Sequence, residues 1–261
     1  MDLHLEGKTA FIMASSSGIG KAIATELANE GANVMITGRT ESKLEVAKKE
    51  MEETAKGEVA YVVLDQKNRE SIQQAVQITR EKFGAISILV NNSGGPSAGM
   101  FEDFDDDDWQ DAFELTLFSY IRVIREVLPD LKATQGHILN NTSISVKEPL
   151  EDLILSNVFR KGIAGLSKSL SKELAADNIL VNTIGAGLLS TDRVKKLEQQ
   201  TSENTGQTEN EVREKSVSNI PLKRIGQPEE LAKMAAFLVS GANTYVTGQT
   251  ILVDGGSSSA Y

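Results

Sequence analysis

Three stretches of this chain combine residue types that suit chemistry. The first is Ala14-Ser15-Ser16-Ser17-Gly18-Ile19-Gly20, a run of small residues between an apolar segment and a helical pattern. Small residues let a backbone approach a pyrophosphate, and the free amides and dipole of a helix start favour an anion. Tight strand–helix packing would use the same residues, so the weight comes from position: the turn closes the first strand and opens the first helix. The second stretch is Thr37-Gly38-Arg39-Thr40, at the end of the next apolar run. A carboxylate there would accept hydrogen bonds from a ribose 2′-hydroxyl, whereas the forked donors of Arg39 suit a 2′-phosphate. The pattern predicts NADP(H), with an exposed Arg39 paired to Glu41 or another acid as the plainer alternative. The third is Asp105-Asp106-Asp107-Asp108, whose adjacent carboxylates invite a metal. Acids opening a helix more simply cap its amides and oppose its dipole, and Trp109 starts the apolar face, so we expect caps and no metal site.

Composition narrows the classes of function. There is no cysteine, hence no disulfide, thiolate nucleophile or cysteine-bound metal. The two histidines, His4 and His137, show no acid–base or metal arrangement and read as structural. A formal charge of -10 and a pI near 4.9 argue against nucleic acid or an anionic membrane as partner. No apolar run approaches the ~20 residues that span a bilayer, and the acidic N-terminus does not read as a secretion signal. A cytoplasmic protein with a small-molecule substrate is expected.

The elements that must position these residues follow from hydrophobic periodicity. Strands are expected at Thr9–Met13, Asn33–Thr37, Val59–Leu64, Ile86–Val90, His137–Leu139, Ile179–Val181 and Thr250–Val253. Helices are expected at Ile19–Asn29, Glu41–Thr54, Ser71–Phe83, Asp108–Leu131, Leu155–Ala175 and Glu229–Val239. Such alternation predicts an α/β, doubly wound (Rossmann) fold: a parallel sheet of about seven strands with helices on both faces. The 261 residues show no linker or repeat and read as a single domain, 1–261. The polar segment Asp192–Asn219 is long for a connection and is read as a helical substrate lid at about 190–220, a surface insertion being the alternative.

The first turn resembles the T-G-x-x-x-G-x-G signature of the short-chain dehydrogenase/reductase family, with Met13 and Ala14 in the Thr and Gly positions. Ala14 is expected to be tolerated if the turn needs little left-handed backbone there. The likeness runs along nearly the whole chain. Asp65 matches the family's adenine-contacting Asp, Asn91-Asn92-Ser93-Gly94 matches N-N-A-G, and Val181-Asn182 with Ala186-Gly187 through Thr191 matches V-N…P-G…T. Pro221–Gly226, Pro228-Glu229-Glu230, Thr247-Gly248-Gln249 and Asp254-Gly255-Gly256 follow in family order. The chain is most similar to bacterial 3-oxoacyl-acyl-carrier-protein reductases. The resemblance implies that Ser15, Ser17, Gly18, Ile19, Gly20, Arg39, Asp65, Asn91, Gly187 and Thr191 hold the dinucleotide. It also implies a homotetramer built on the long helices around 109–131 and 155–175.

At the reaction centre the family uses a Ser to polarise a carbonyl, a Tyr to give the proton, a Lys to tune that Tyr and an Asn to hold a water. Ser143 falls on the first position, but Ser156 stands for Tyr, Arg160 for Lys and Thr116 for Asn. A serine hydroxyl is a far weaker acid than a phenol, and an arginine cannot release a proton. Lys147, on the loop that should border the substrate, is the first substitute donor, and Tyr120 is the second. Their plainer readings are a loop lysine paired with Glu148 and a core or interface tyrosine. Arg160 could still hold the nicotinamide ribose. The expected activity is NADP(H)-dependent reduction of a 3-oxoacyl thioester or small ketone with a divergent centre. The alternative is a catalytically silent nucleotide-binding homologue.

Overall fold

Apolar runs near the chain's strand signals pair into one parallel sheet. The computed structural model describes residues 2–260. Its strands are β1 (Thr9–Ile12), β2 (Asn33–Gly38), β3 (Val59–Val63), β4 (Ile88–Asn91), β5 (His137–Ser143), β6 (Leu180–Ala186) and β7 (Thr250–Val253). They lie in the order β3-β2-β1-β4-β5-β6-β7, every pairing parallel. The order reverses between β1 and β4, and ligands of such sheets bind at the strand ends beside that switch. The fold class and the strand number match the sequence reading.

Alternation along each strand feeds two cores, because successive side chains leave a strand on opposite faces. Ala10, Ile12, Val34 and Ile36 pack with Ile23 and Leu27 of α1 (Gly18–Asn29), Leu44 of α2 (Glu41–Glu52) and Leu231 and Ala235 of α9 (Pro228–Leu238). Phe11, Met13 and Met35 pack on the other face with Ile72 and Val76 of α3 (Arg69–Phe83). Val123 and Val127 of α5 (Ser119–Thr134) complete that core.

The ends of β5 and β6 and the helix expected at Asp108–Leu131 depart from expectation, while the polar segment is helical as expected. Strands β5 and β6 run on to Ser143 and Ala186, well past the ends expected at Leu139 and Val181. The polar residues that hide this extension are buried but mutually bonded: Asn91 Nδ2 donates to Asn140 Oδ1 (2.7 Å), Asn140 Nδ2 to Ser167 Oγ (2.8 Å) and Thr142 Oγ1 to the Ile184 carbonyl (2.9 Å). The helix expected at Asp108–Leu131 is α4 (Asp106–Phe113) and α5, separated by a π-helical turn at Glu114–Phe118. Such turns widen a helix by one residue and recur at functional sites. The polar segment folds as α7 (Asp192–Thr205) and α8 (Glu209–Ser218), joined through Gly206, whose φ of 72° is left-handed. Helix α6 (Ile154–Glu173) follows the β5 loop.

Candidate active site

The nucleotide side begins with an asymmetry among helix starts. Asn68, Asp105, Thr191 and Thr208 accept hydrogen bonds from the first amides of α3, α4, α7 and α8. Asp105 thus caps, as the sequence suggested, and exchanges a reciprocal bond with Asp108. Helix α1 has neither a side-chain cap at Ser17 nor an acid in its first turn. The amides of Gly18, Ile19 and Gly20 therefore have no intrahelical acceptor and no competing carboxylate, and Ser17 is exposed beside them. The residues present fit a phosphate group.

Around this turn the structure corrects one expectation and refines two. Ala14 adopts φ 46°, so the turn does require left-handed backbone where the chain carries a β-carbon. Ser15 is fully buried: its hydroxyl donates to the Ile12 carbonyl (2.8 Å) and accepts from Thr37 N–H (2.9 Å), bridging β1 and β2. A Cβ on Gly20 would stand 2.5 Å from both the Ala14 carbonyl and Asn92 Nδ2, so this glycine permits close helix–strand approach. A Cβ on Gly18 would meet Thr191 Cγ2 at 3.6 Å, so the turn and the β6–α7 connection face each other. A Cβ on Gly187 would stand 2.5 Å from Asp254 Cα, so this position leaves no room for a side chain. Arg39, at the end of β2, is exposed and forms no ion pair among the described residues, contrary to the plainer reading. Asp65 lies exposed beyond β3 and accepts from Lys67 N–H (3.0 Å). The Asn91 side chain turns into the sheet, leaving backbone as what this strand end presents.

The reaction side gathers at the ends of β5 and β6. Ser143 is half-buried opposite Ala186, and its Oγ accepts from Ser145 N–H (3.3 Å). The single turn Ile144–Val146 leads to Lys147, half-buried, whose N–H donates to the Ile144 carbonyl (2.9 Å) while its side chain has no hydrogen bond or ion pair among the described residues. Glu148 is engaged elsewhere. Ser258 Oγ (2.8 Å) and Ser259 N–H (2.7 Å) donate to its carboxylate, and these bonds, the Ser258 hydroxyl foremost, hold its pKa below the usual range. The C-terminal tail is thereby fastened to the loop that carries Lys147. Lys161 Nζ donates to the Val146 carbonyl (2.8 Å), tying the same loop to α6.

On α6, Ser156 and Arg160 are both buried, at 5% and 7% exposure, and Arg160 Nε donates to Ser156 Oγ (3.1 Å). The guanidinium lies against the phenol of Tyr120, which is wholly buried and donates to the Asn141 carbonyl (2.8 Å). Burial raises the phenol's pKa despite the opposing pull of Arg160. Tyr120 is therefore a core residue that braces Arg160, in line with its plainer reading. Thr116 sits in the π-helical turn, buried, with its hydroxyl on the Ala112 carbonyl.

Arg193 escaped the sequence reading. At the start of α7 it is exposed, yet its fork closes on two backbone carbonyls, Gly95 (3.1 Å) and Pro96 (3.1 Å). A side chain on Gly95 would collide with that guanidinium. Partial enclosure of the guanidinium, and then the charge of Arg160, lower its pKa. A signal was present in the sequence, since a cation in the first turn of a helix opposes the dipole and needs another reason to be there. Through Arg193 the expected lid is joined to the loop after β4.

The chain is similar to known proteins over nearly its whole length. A family model described as enoyl-(acyl carrier protein) reductase matches residues 13–258. The 3-oxoacyl-acyl-carrier-protein reductase FabG of Vibrio cholerae serotype O1 is 32% identical over 97% of this chain and 98% of its own. The NADPH-dependent reductase BacG of Bacillus subtilis is 32% identical, covering 96% and 97%. A solved L-sorbose reductase from Gluconobacter frateurii, complexed with NADPH and L-sorbose, superposes with a TM-score of 0.95 at 34% identity over 100% of both chains.

Proposed function

The chain belongs to the short-chain dehydrogenase/reductase family, and from that premise we propose that it reduces a carbonyl to an alcohol with NADP(H), at a rebuilt reaction centre. Relatives whose names and structures involve NADPH support the cofactor, and so does Arg39, a free cation where NAD-selective sites place an acid. The uncapped amides of α1 hold the pyrophosphate, Arg39 the 2′-phosphate and Asp65 the adenine. Gly187 and Thr191 border the nicotinamide side. Bound there, the dihydronicotinamide supplies the hydride.

The protein's own residues manage the oxygen. Ser143 donates its hydroxyl to the carbonyl oxygen and stabilises negative charge as it develops. Lys147, the half-buried ammonium without a partner, or an ordered water, gives the proton. Ser156 and Arg160 line the floor, with Arg160 toward the nicotinamide ribose. The substrate is a 3-oxoacyl thioester or small ketone, the polar α7–α8 segment is its lid, and the assembly is a homotetramer. The carrying observation is that Ser143, whose hydroxyl donates to no group among the described residues, and Lys147, whose side chain has no partner among them, both stand at the ligand-binding end of β5. The rival reading, a silent nucleotide-binding homologue, draws on Ser156 being tied to Arg160 where a proton donor would stand. NADPH oxidation with 3-oxoacyl thioesters and small ketones, in wild type and Lys147→Ala, separates the two. Nucleotide binding with no turnover of any of them would leave only the silent protein.

A further inference from the structure

Little apolar packing holds α7 and α8 to the rest of the chain. Glu198 is the buried residue of α7 and Val212 that of α8. A segment that buries so little opens at low cost unless polar contacts restrain it. Among the described residues, the side chains of α7 and α8 form no ion pair. The hydrogen bonds they make end within 191–219, with one exception. The exception is Arg193, which donates to the carbonyls of Gly95 and Pro96 at 3.1 Å each.

The loop after β4 is shaped for this contact. A β-carbon on Gly95 would fall on the Arg193 guanidinium, whose Nη2, Cζ and Nε are the atoms nearest to it. Gly95 is not among the glycines with left-handed backbone, so room for the guanidinium, rather than conformation, is what a side chain there would take away. The bridge also has a telling place in the fold. Strand β5 lies between β4 and β6. A link from the loop after β4 to the helix after β6 therefore passes over the end of β5, which carries Ser143. Thr191, two residues before Arg193, faces the Gly18 turn.

We propose that Arg193 is a positioning residue that clamps α7 across the reaction centre, and that this bridge must open for the nicotinamide half of the dinucleotide to enter or leave. The inference rests on the dinucleotide site read above and assigns its gate. Arg193 acts through the lid rather than on the reacting atoms. Its partners are neutral carbonyls and it is itself exposed, so opening returns the cation to water and strands no buried charge.

Hydrogen exchange read by mass spectrometry, on the full chain without nucleotide, tests the clamp. Arg193→Met should speed exchange across 192–218 on the order of 10-fold, the worth of two charge-assisted bonds from a cation open to water, while β1–β6 keep their protection. Gly95→Ala expels the guanidinium without altering α7 and should give the same increase. The double variant should exchange no faster than either single one, since both remove one contact. Arg193→Lys, a cation without the fork, should fall between. Exchange at the wild-type rate in Arg193→Met overturns the clamp, as do single effects that add in the double variant. Stopped-flow release of NADPH tests the gate, and it should quicken about 10-fold in both single variants. Unchanged release beside faster lid exchange overturns the gate. Wild type that binds no NADPH sinks the nucleotide reading and the gate with it, while the exchange cycle still decides the clamp.

Discussion

Ala14 carries a left-handed backbone without the glycine that adopts it freely. A β-carbon in that region costs about 1–2 kcal/mol, and glycine's freer unfolded chain returns part of it, so Ala14→Gly should stabilise the protein by about 0.5–1 kcal/mol. The shift of the urea midpoint at constant slope measures it. Ser143→Ala should lower kcat/KM by about 10²–10³-fold with nucleotide affinity intact, because only charge development is left unsupported. His137 gives a pH signature. Burial lowers its pKa below 6.5, so between the lowered value and 6.5 the unfolded chain binds more protons. Stability from this residue is complete above pH 6.5 and falls as pH drops through that window; thermal melts from pH 7 to pH 5 should fall less steeply in His137→Gln. Gly18 and Gly20 could be singled out from their place between a strand and a helix, whereas Ser143 stood out only through the family resemblance. Ser15 and Asn91 were not legible as inward-facing groups, since Thr37 and Asn140, their partners, are distant in the chain.

At the scale of elements, the contrast between α1 and α4 separates binding from capping. Asp105 satisfies two amides of α4, and Asp105→Ala should destabilise by about 1 kcal/mol in chemical denaturation without affecting nucleotide affinity. The first turn of α1 has no such internal acceptor. The seven strands could be read from apolar runs because both faces of a parallel sheet are buried. The ends of β5 and β6 could not, because the asparagine and threonine side chains that occupy them are polar by composition and satisfied only across strands. The π-helical turn has no periodicity of its own short of a registered break, and it displaced the helix boundary around Thr116.

At the scale of the whole molecule, an aromatic patch outside the two cores lies partly exposed on α4 and α6. Half-buried rings run in a chain of contacts, Trp109 of α4 to Phe159 of α6, Phe159 to Phe113 of α4, and Phe113 to Phe118 of the π-helical turn, and Val158 on α6 is 45% exposed. Those are the helices on which the expected tetramer would assemble. Light scattering should give a four-chain particle, and Val158→Glu should reduce it to smaller species by burying a charge in that contact. The fastening of Ser258 and Ser259 to Glu148 has a practical outcome. A protease that nicked the polypeptide near Gly256 would leave both cores and every helix in place, and spectroscopy of the backbone would register nothing. The loop beside Ser143 would nevertheless slacken, and a preparation shortened by a few residues would look sound while turning over slowly.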